Sequence, residues 1–227
     1  ASMAEPINTR GYENDGYNRL DLVKHSIHTI IHALTPEYSL GIVSFSTRAK
    51  TELSPIQMNS HGKALAIHTV NNIQVQSSTN IWDGIREIMD LHKDGDTPVI
   101  ILFTDGLSNI NPPRGIPETL KTKITNTNIK PTIYTLGFGY DIDSGVLHTI
   151  SDMTGGLFGF IPDCTMIGSV FVNIISYIME DKNDQETQWD ILVDYLYDVT
   201  KRNYTNEENE NKEISVLLDH MVTTYVN

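Results

Sequence analysis

Residues 98–104 read PVIILFT, an unbroken apolar run that stops at Asp105 and Gly106. A strand with one wet face alternates apolar and polar positions. A run without polar positions has to be covered on both faces, as in parallel sheets flanked by helices. Parallel neighbours need long crossover connections, normally helical. The surrounding sequence should therefore alternate helical stripes with further apolar runs.

It does so over residues 19–179. Residues 19–34 carry Leu20, Val23, Ile27, Ile30, Ile31 and Leu34 at helical spacing, and Pro36 ends the stripe. Residues 38–46 (YSLGIVSFS) read as a buried strand, and residues 49–53 as a short polar edge strand ending at Pro55. Helices follow at 59–70 and 81–91, before the strand at 98–104. A Pro-rich loop (109–117) leads to a helix at 118–127, a buried strand at 130–138 (KPTIYTLGF), a helix at 143–153, a strand at 157–161 and a helix at 165–179. This order implies an α/β, doubly wound, mostly parallel and Rossmann-like sheet with helices on both faces. Ligands of such sheets sit beyond the carboxyl ends of the strands. Beyond Glu180 a polar linker and two short helical stripes read as an acidic C-terminal helical extension, 181–227, attached to a domain over 1–180.

Charge narrows the partners. The 227 residues hold 16 Lys and Arg against 29 Asp and Glu, net −13. From Glu180 onward 12 acids face 4 bases, so that segment carries −8 and residues 1–179 carry −5. Neither part offers the basic stripe that phosphate contacts require, which argues against nucleic acid. The acidic surface disfavours anionic membranes, and no apolar run reaches the roughly 18–20 residues of a membrane span. Cys164 is the only cysteine. It excludes a disulfide framework or a Cys-based zinc site within one chain and favours a reducing, cytoplasmic compartment.

The sharpest chemical feature is Thr104-Asp105-Gly106, directly after the most buried strand. It puts a carboxylate on the carboxyl edge of the sheet. A structural Asp capping a turn is the competing reading. Ser77, Ser78, Thr79 and Asn80 precede the helix beginning at Ile81. A hydroxyl there either caps the helix or offers a hard oxygen to a divalent cation. Elsewhere simpler readings prevail. His25, His28 and His32 lie opposite the apolar stripe of their helix as solvated side chains. Asp190, Asp194 and Asp198 form a solvated face. Asp143 reads as an N-cap, and Gly155-Gly156 as a turn. The LGFGY segment ending at Tyr140 lacks the spacing of a dinucleotide fingerprint.

The segments RLDLVKHSIHTII, YSLGIVSFST, STNIWDGIREI, PVIILFTDGLSN, PTIYTLGFG and LHTISDMTGGLFGFI, in this order over residues 19–161, resemble a von Willebrand factor type A (vWA) domain. The resemblance implies a non-enzymatic protein-interaction module with a metal-ion-dependent adhesion site. The family pattern is Asp-x-Ser-x-Ser, then a Thr, then an Asp. Carried over, Thr79 matches the Thr and Asp105 the later Asp. Ala1, Ser2 and Met3 resemble the end of the first motif, making Ser2 its second serine. The implied ion is Mg²⁺, or another divalent cation such as Mn²⁺ or Ca²⁺, held weakly by Ser2, Thr79 and Asp105 and offered to an acidic residue of another protein.

The first strand, Asp and Ser of that pattern are expected to be missing from residues 1–180. A central strand's absence would leave two neighbours with unpaired backbone groups, each costing about 1–3 kcal/mol when buried, unless another chain fills the slot. Two other readings compete. One is a vWA scaffold with a degraded metal site, contacting partners through loops and the C-terminal helices. The other is a Mg²⁺-dependent hydrolase using Asp105. That enzyme would need a second acid and a nearby cation, and neither loop supplies the cation, since Arg114 is nine residues from Asp105.

Overall fold

The computed structural model describes residues 19–76 and 78–161. Ser2, Cys164, the expected helix at 165–179 and the extension at 181–227 lie outside the described residues. In chain order the elements are α1 (Arg19–Ala33), β1 (Ser39–Phe45), β2 (Ala49–Gln57), α2 (Ser60–Asn72), α3 (Ile81–Asp90), β3 (Val99–Thr104), α4 (Ile116–Thr127), β4 (Thr132–Phe138), α5 (Ser144–Met153) and β5 (Phe158–Ile161).

The apolar runs at 99–104 and 132–138 pair as expected. β3, β4 and β5 form a parallel sheet in that order. Partnered residues of a parallel ladder share a face, so Ile100 with Ile133 and Leu102 with Thr135 define one side. That side meets the apolar stripes of three helices. Ile81, Ile85 and Met89 of α3, Ile116 and Leu120 of α4, and Leu147 and Ile150 of α5 close a core with Ile100, Leu102 and Ile133. The other side carries Ile101 with Tyr134 and Phe103 with Leu136. There Phe103 stacks on Phe138 with ring centroids 6.2 Å apart. The helices thus close one face of the strand, while Ile101 and Phe103 on the other stay half-buried.

β1 and β2 form a separate antiparallel pair. Among the described residues no ladder joins β1 to β3. Each strand therefore has one edge without a described ladder partner. The two sheets nonetheless share α3, because Phe45 of β1 packs against the core that α3 forms with β3.

Two boundaries depart from the sequence expectation. β2 does not stop at Pro55 but runs to Gln57. Its register with β1 shifts between Leu40, paired with Ile56, and Ile42, paired with Leu53. Proline cannot donate to a ladder, and the irregularity at Gly41 is where the missing donor is absorbed. α4 begins at Ile116 rather than at residue 118, with Pro117 inside its first turn. Proline is tolerated there because the first helical N–H groups have no intrahelical acceptor. The expected N-cap of α5 is present, since Asp143 accepts from the Val146 N–H at 3.0 Å.

Candidate metal and partner site at the carboxyl edge

The start of α3 is the organising point. Its N-cap is Asn80, whose Oδ1 accepts from the Asp83 N–H at 3.1 Å. The capping role expected of a hydroxyl at this turn is therefore filled by an amide, and Thr79 stands one position before the cap. The Asn80 amide also donates to the Thr47 carbonyl at 3.1 Å, just beyond the end of β1.

The loop after β3 reaches the same point. Asn109 Oδ1 accepts from the Thr79 N–H at 3.0 Å, and the Asn109 N–H donates to the Thr79 carbonyl at 3.0 Å. Ser108 Oγ adds a third link to that carbonyl at 3.3 Å. Ser108 is only three residues beyond Asp105. The backbone of Thr79 is thus tied on both sides to the loop that Asp105 opens. β1 and β3 both deliver their carboxyl ends to the start of α3, where ligand sites of such sheets form.

Asp105 is nearly fully buried, with its side chain 5% exposed. Burying a carboxylate is costly without a charged or hydrogen-bonding partner. Arg19, the first residue of α1, is such a partner, with Nη1 3.3 Å from Asp105 Oδ2. The sequence reading that neither loop supplies a cation stands, yet Asp105 has one. The fold brings it from 86 residues away. Gly139, just past β4, makes room for it. Its φ is +74°, and a Cβ there would lie 3.3 Å from Arg19 Nη2.

Asp83 is a second part-buried carboxylate at the start of α3, which the sequence reading passed over. It accepts from the Ala49 N–H at 2.6 Å and from Arg86 Nε and Nη2 at 3.1 and 2.8 Å. The Ala49 hydrogen bond, aided by Arg86, holds its pKa below the usual aspartate value despite partial burial. Its role is structural, locking the first turn of α3 to the start of β2. The clue was an acidic residue in the first turn of a helix, where it also suits the macrodipole.

The donor chemistry fits a hard divalent cation in kind. The Thr79 hydroxyl and Asp105 carboxylate are oxygen donors of the sort Mg²⁺ prefers, on loops bonded to each other. It is sparse in number. No group of three or more His, Cys, Asp or Glu able to hold a metal occurs among the described residues. Water, a partner and Ser2, outside the described residues, would have to complete the shell. The histidine trio is no substitute. His28 Nε2 is buried without a hydrogen-bond partner, and burial, followed by the charges of His25 and His32, lowers its pKa.

Comparison with known proteins supplies the family. The bovine (Bos taurus) inter-alpha-trypsin inhibitor heavy chain H4 is 26% identical over 153 residues, covering 61% of this chain and 16% of that protein. This chain therefore spans about a sixth of that relative. A von Willebrand factor type A protein from Catenulispora acidiphila superposes with a TM-score of 0.59 at 18% identity, over 68% of this chain and 37% of that one. Proximal thread matrix protein 1 from the mussel byssus, with a zinc-occupied MIDAS motif, gives a TM-score of 0.53 at 17% identity, over 70% and 40% of the two chains. These structural likenesses show the α/β fold. Among the described residues no helix is long and apolar enough to cross a membrane. The von Willebrand factor type A domain profile matches residues 13–171, well over half of the chain, and the chain belongs to that family.

Proposed function

We propose that this chain is a non-enzymatic protein-interaction module that takes an acidic side chain of a partner through a divalent ion at the rim formed by the Thr79 and Asp105 loops. The observation that carries this reading is the hydrogen-bonded union of those loops, with a buried carboxylate at the end of the apolar strand β3. Thr79 and Asp105 would hold the ion, with Ser2 as the third protein ligand. When bound, the ion supplies an electrophilic coordination position for a partner's carboxylate, since one aspartate leaves half of its charge unbalanced.

The chain's own residues set the frame. Asn80 and Asn109 fix the backbone on either side of Thr79, so its hydroxyl is carried on an anchored turn rather than a loose loop. Asp105 sits where water is largely excluded, so its charge is weakly screened. The neighbouring loops then read the rest of the partner.

Calorimetry with MgCl₂, repeated after EDTA and with Asp105→Asn, tests the cation. Heat that saturates in the wild type and vanishes in the variant is expected. Identical traces for the two would defeat the metal reading. A second reading, a vWA scaffold with a degraded metal site, is favoured by the Arg19 contact, which already gives Asp105 a cation. It predicts partner binding indifferent to EDTA. The hydrolase reading gains a cation beside Asp105, but Arg19 is engaged with that carboxylate rather than set to hold a phosphate.

A further inference from the structure

We propose that Arg19 is a built-in counter-cation of the Asp105 site, which a divalent ion must displace before a partner can be captured. This inference rests on the reading of the Thr79–Asp105 rim as a cation site and adds its regulation.

Three observations carry it. First, the guanidinium lies 3.3 Å from the same carboxylate that would ligate the ion. Two cations close to one carboxylate repel each other strongly where solvent screening is weak. Second, Arg19 stands at an electrostatically unfavourable place on its helix. It opens α1, where the helix dipole is positive and a cation is disfavoured. Its contact with Asp105 gives the placement a reason. Third, the cradle is built for it. Gly139 holds a left-handed backbone against the guanidinium, where a Cβ would lie tightly, 3.3 Å, from Nη2.

The contact is also suited to opening. At 3.3 Å it exceeds the about 2.7–2.9 Å of a tight charge-assisted bond. The Arg19 side chain is 23% exposed against 5% for Asp105, so the arginine end has a route to water while the carboxylate stays in place. In the closed form Arg19 neutralises Asp105 and ties the start of α1 to the end of β3. In the loaded form the guanidinium moves toward solvent, on the rim where a partner's acidic residue would arrive. The apparent affinity for the ion falls by the fraction of molecules in the open form. An arginine that holds about nine molecules in ten closed weakens it about tenfold.

The test is a Mn²⁺ titration of the full chain, read by water-proton relaxation, for wild type, Arg19→Gln and Arg19→Lys, with Asp105→Asn as the blank. The expected result is binding about tenfold tighter in Arg19→Gln than in wild type, about 1.4 kcal/mol, with Arg19→Lys close to wild type because it keeps the charge. Equal or weaker binding in Arg19→Gln overturns the counter-cation while leaving the cation site standing. No binding above the blank in either protein overturns both. Circular dichroism checks the fold of each variant. Should Arg19→Gln fail to fold, the wild type suffices: Mg²⁺ must shift the Arg19 Nε–Hε signal in a ¹⁵N-correlated spectrum, and an unmoved signal at saturating Mg²⁺ refutes the displacement.

Discussion

Replacing Gly156 by alanine tests how the site-bearing sheet is held. α5 ends in a two-glycine motif. The Gly155 N–H donates to the Asp152 carbonyl at 3.2 Å and the Gly156 N–H to the Ser151 carbonyl at 2.9 Å, with Gly155 at φ +72°. This satisfies the last carbonyls of the helix and turns the chain back toward β5. Gly156 then passes directly over β4. A Cβ there would lie 2.1 Å from the Ile133 carbonyl oxygen and 2.6 Å from its carbon. Both are backbone atoms of a fully buried residue in the middle strand of the parallel sheet, so no flexible side chain can yield. Overpacking costs about 1–3 kcal/mol, and the rigid target puts this case at about 3 kcal/mol. That is a large share of a typical stability of about 5–15 kcal/mol. For a chain of this size it lowers the melting temperature by roughly 6–12 °C. Gly155→Ala is the comparison. Nothing lies within 4 Å of its would-be Cβ, so only left-handed strain of about 1–2 kcal/mol applies. Urea unfolding followed by circular dichroism reads both. A Gly156→Ala protein within 1 kcal/mol of wild type, or no worse than Gly155→Ala, refutes the packing argument.

Asp83→Ala leaves the Ala49 N–H without its acceptor, while Arg86 keeps Asp90, and is expected to cost about 1–3 kcal/mol in urea unfolding. Because folding lowers the Asp83 pKa, its contribution is complete above the ordinary value of 3.8 and is lost as pH falls through the lowered folded value. The stability of Asp83→Asn should accordingly fall less steeply with pH there, read by urea unfolding at each pH. His25, His28 and His32 have pKa values lowered mainly by burial. Their folded forms favour the neutral ring, so stability is complete above 6.5 and drains away as pH drops through the folded values. Changing all three to Gln should flatten the stability profile between about pH 7 and 5. Asn80→Ala removes the α3 cap and the link to Thr47, with an expected loss of about 1 kcal/mol and a weaker response to Mg²⁺ at the adjoining Thr79.

Most elements were legible because their side-chain periods are unambiguous. PVIILFT reads as a buried strand of a parallel sheet, and the stripes of α1 and α3 recur at helical spacing. Boundaries near proline were not. Pro55 reads as a terminator until a bulge at Gly41 accommodates it, and Pro117 reads as a breaker although it sits in a first turn. Thr79 and Asp105 could be singled out from their motifs, and their loops do meet. Arg19 could not, because its partner is 86 residues distant and an arginine at a helix start resembles any surface residue. Asn80 and Asn109 were hidden for a similar reason. A turn's side-chain oxygen can cap, bridge or bind, and only the three-dimensional neighbour decides.

Localising a bound ion tests the central claim most directly. In a ¹⁵N-labelled full chain, substoichiometric Mn²⁺ broadens the amide signals of residues near its binding site. Selective loss of the Thr79, Asp105, Ser108 and Asn109 signals, with those of α2 retained, is the predicted result. Broadening centred on His25, His28 and His32, or spread evenly over the acidic surface, would contradict the assignment.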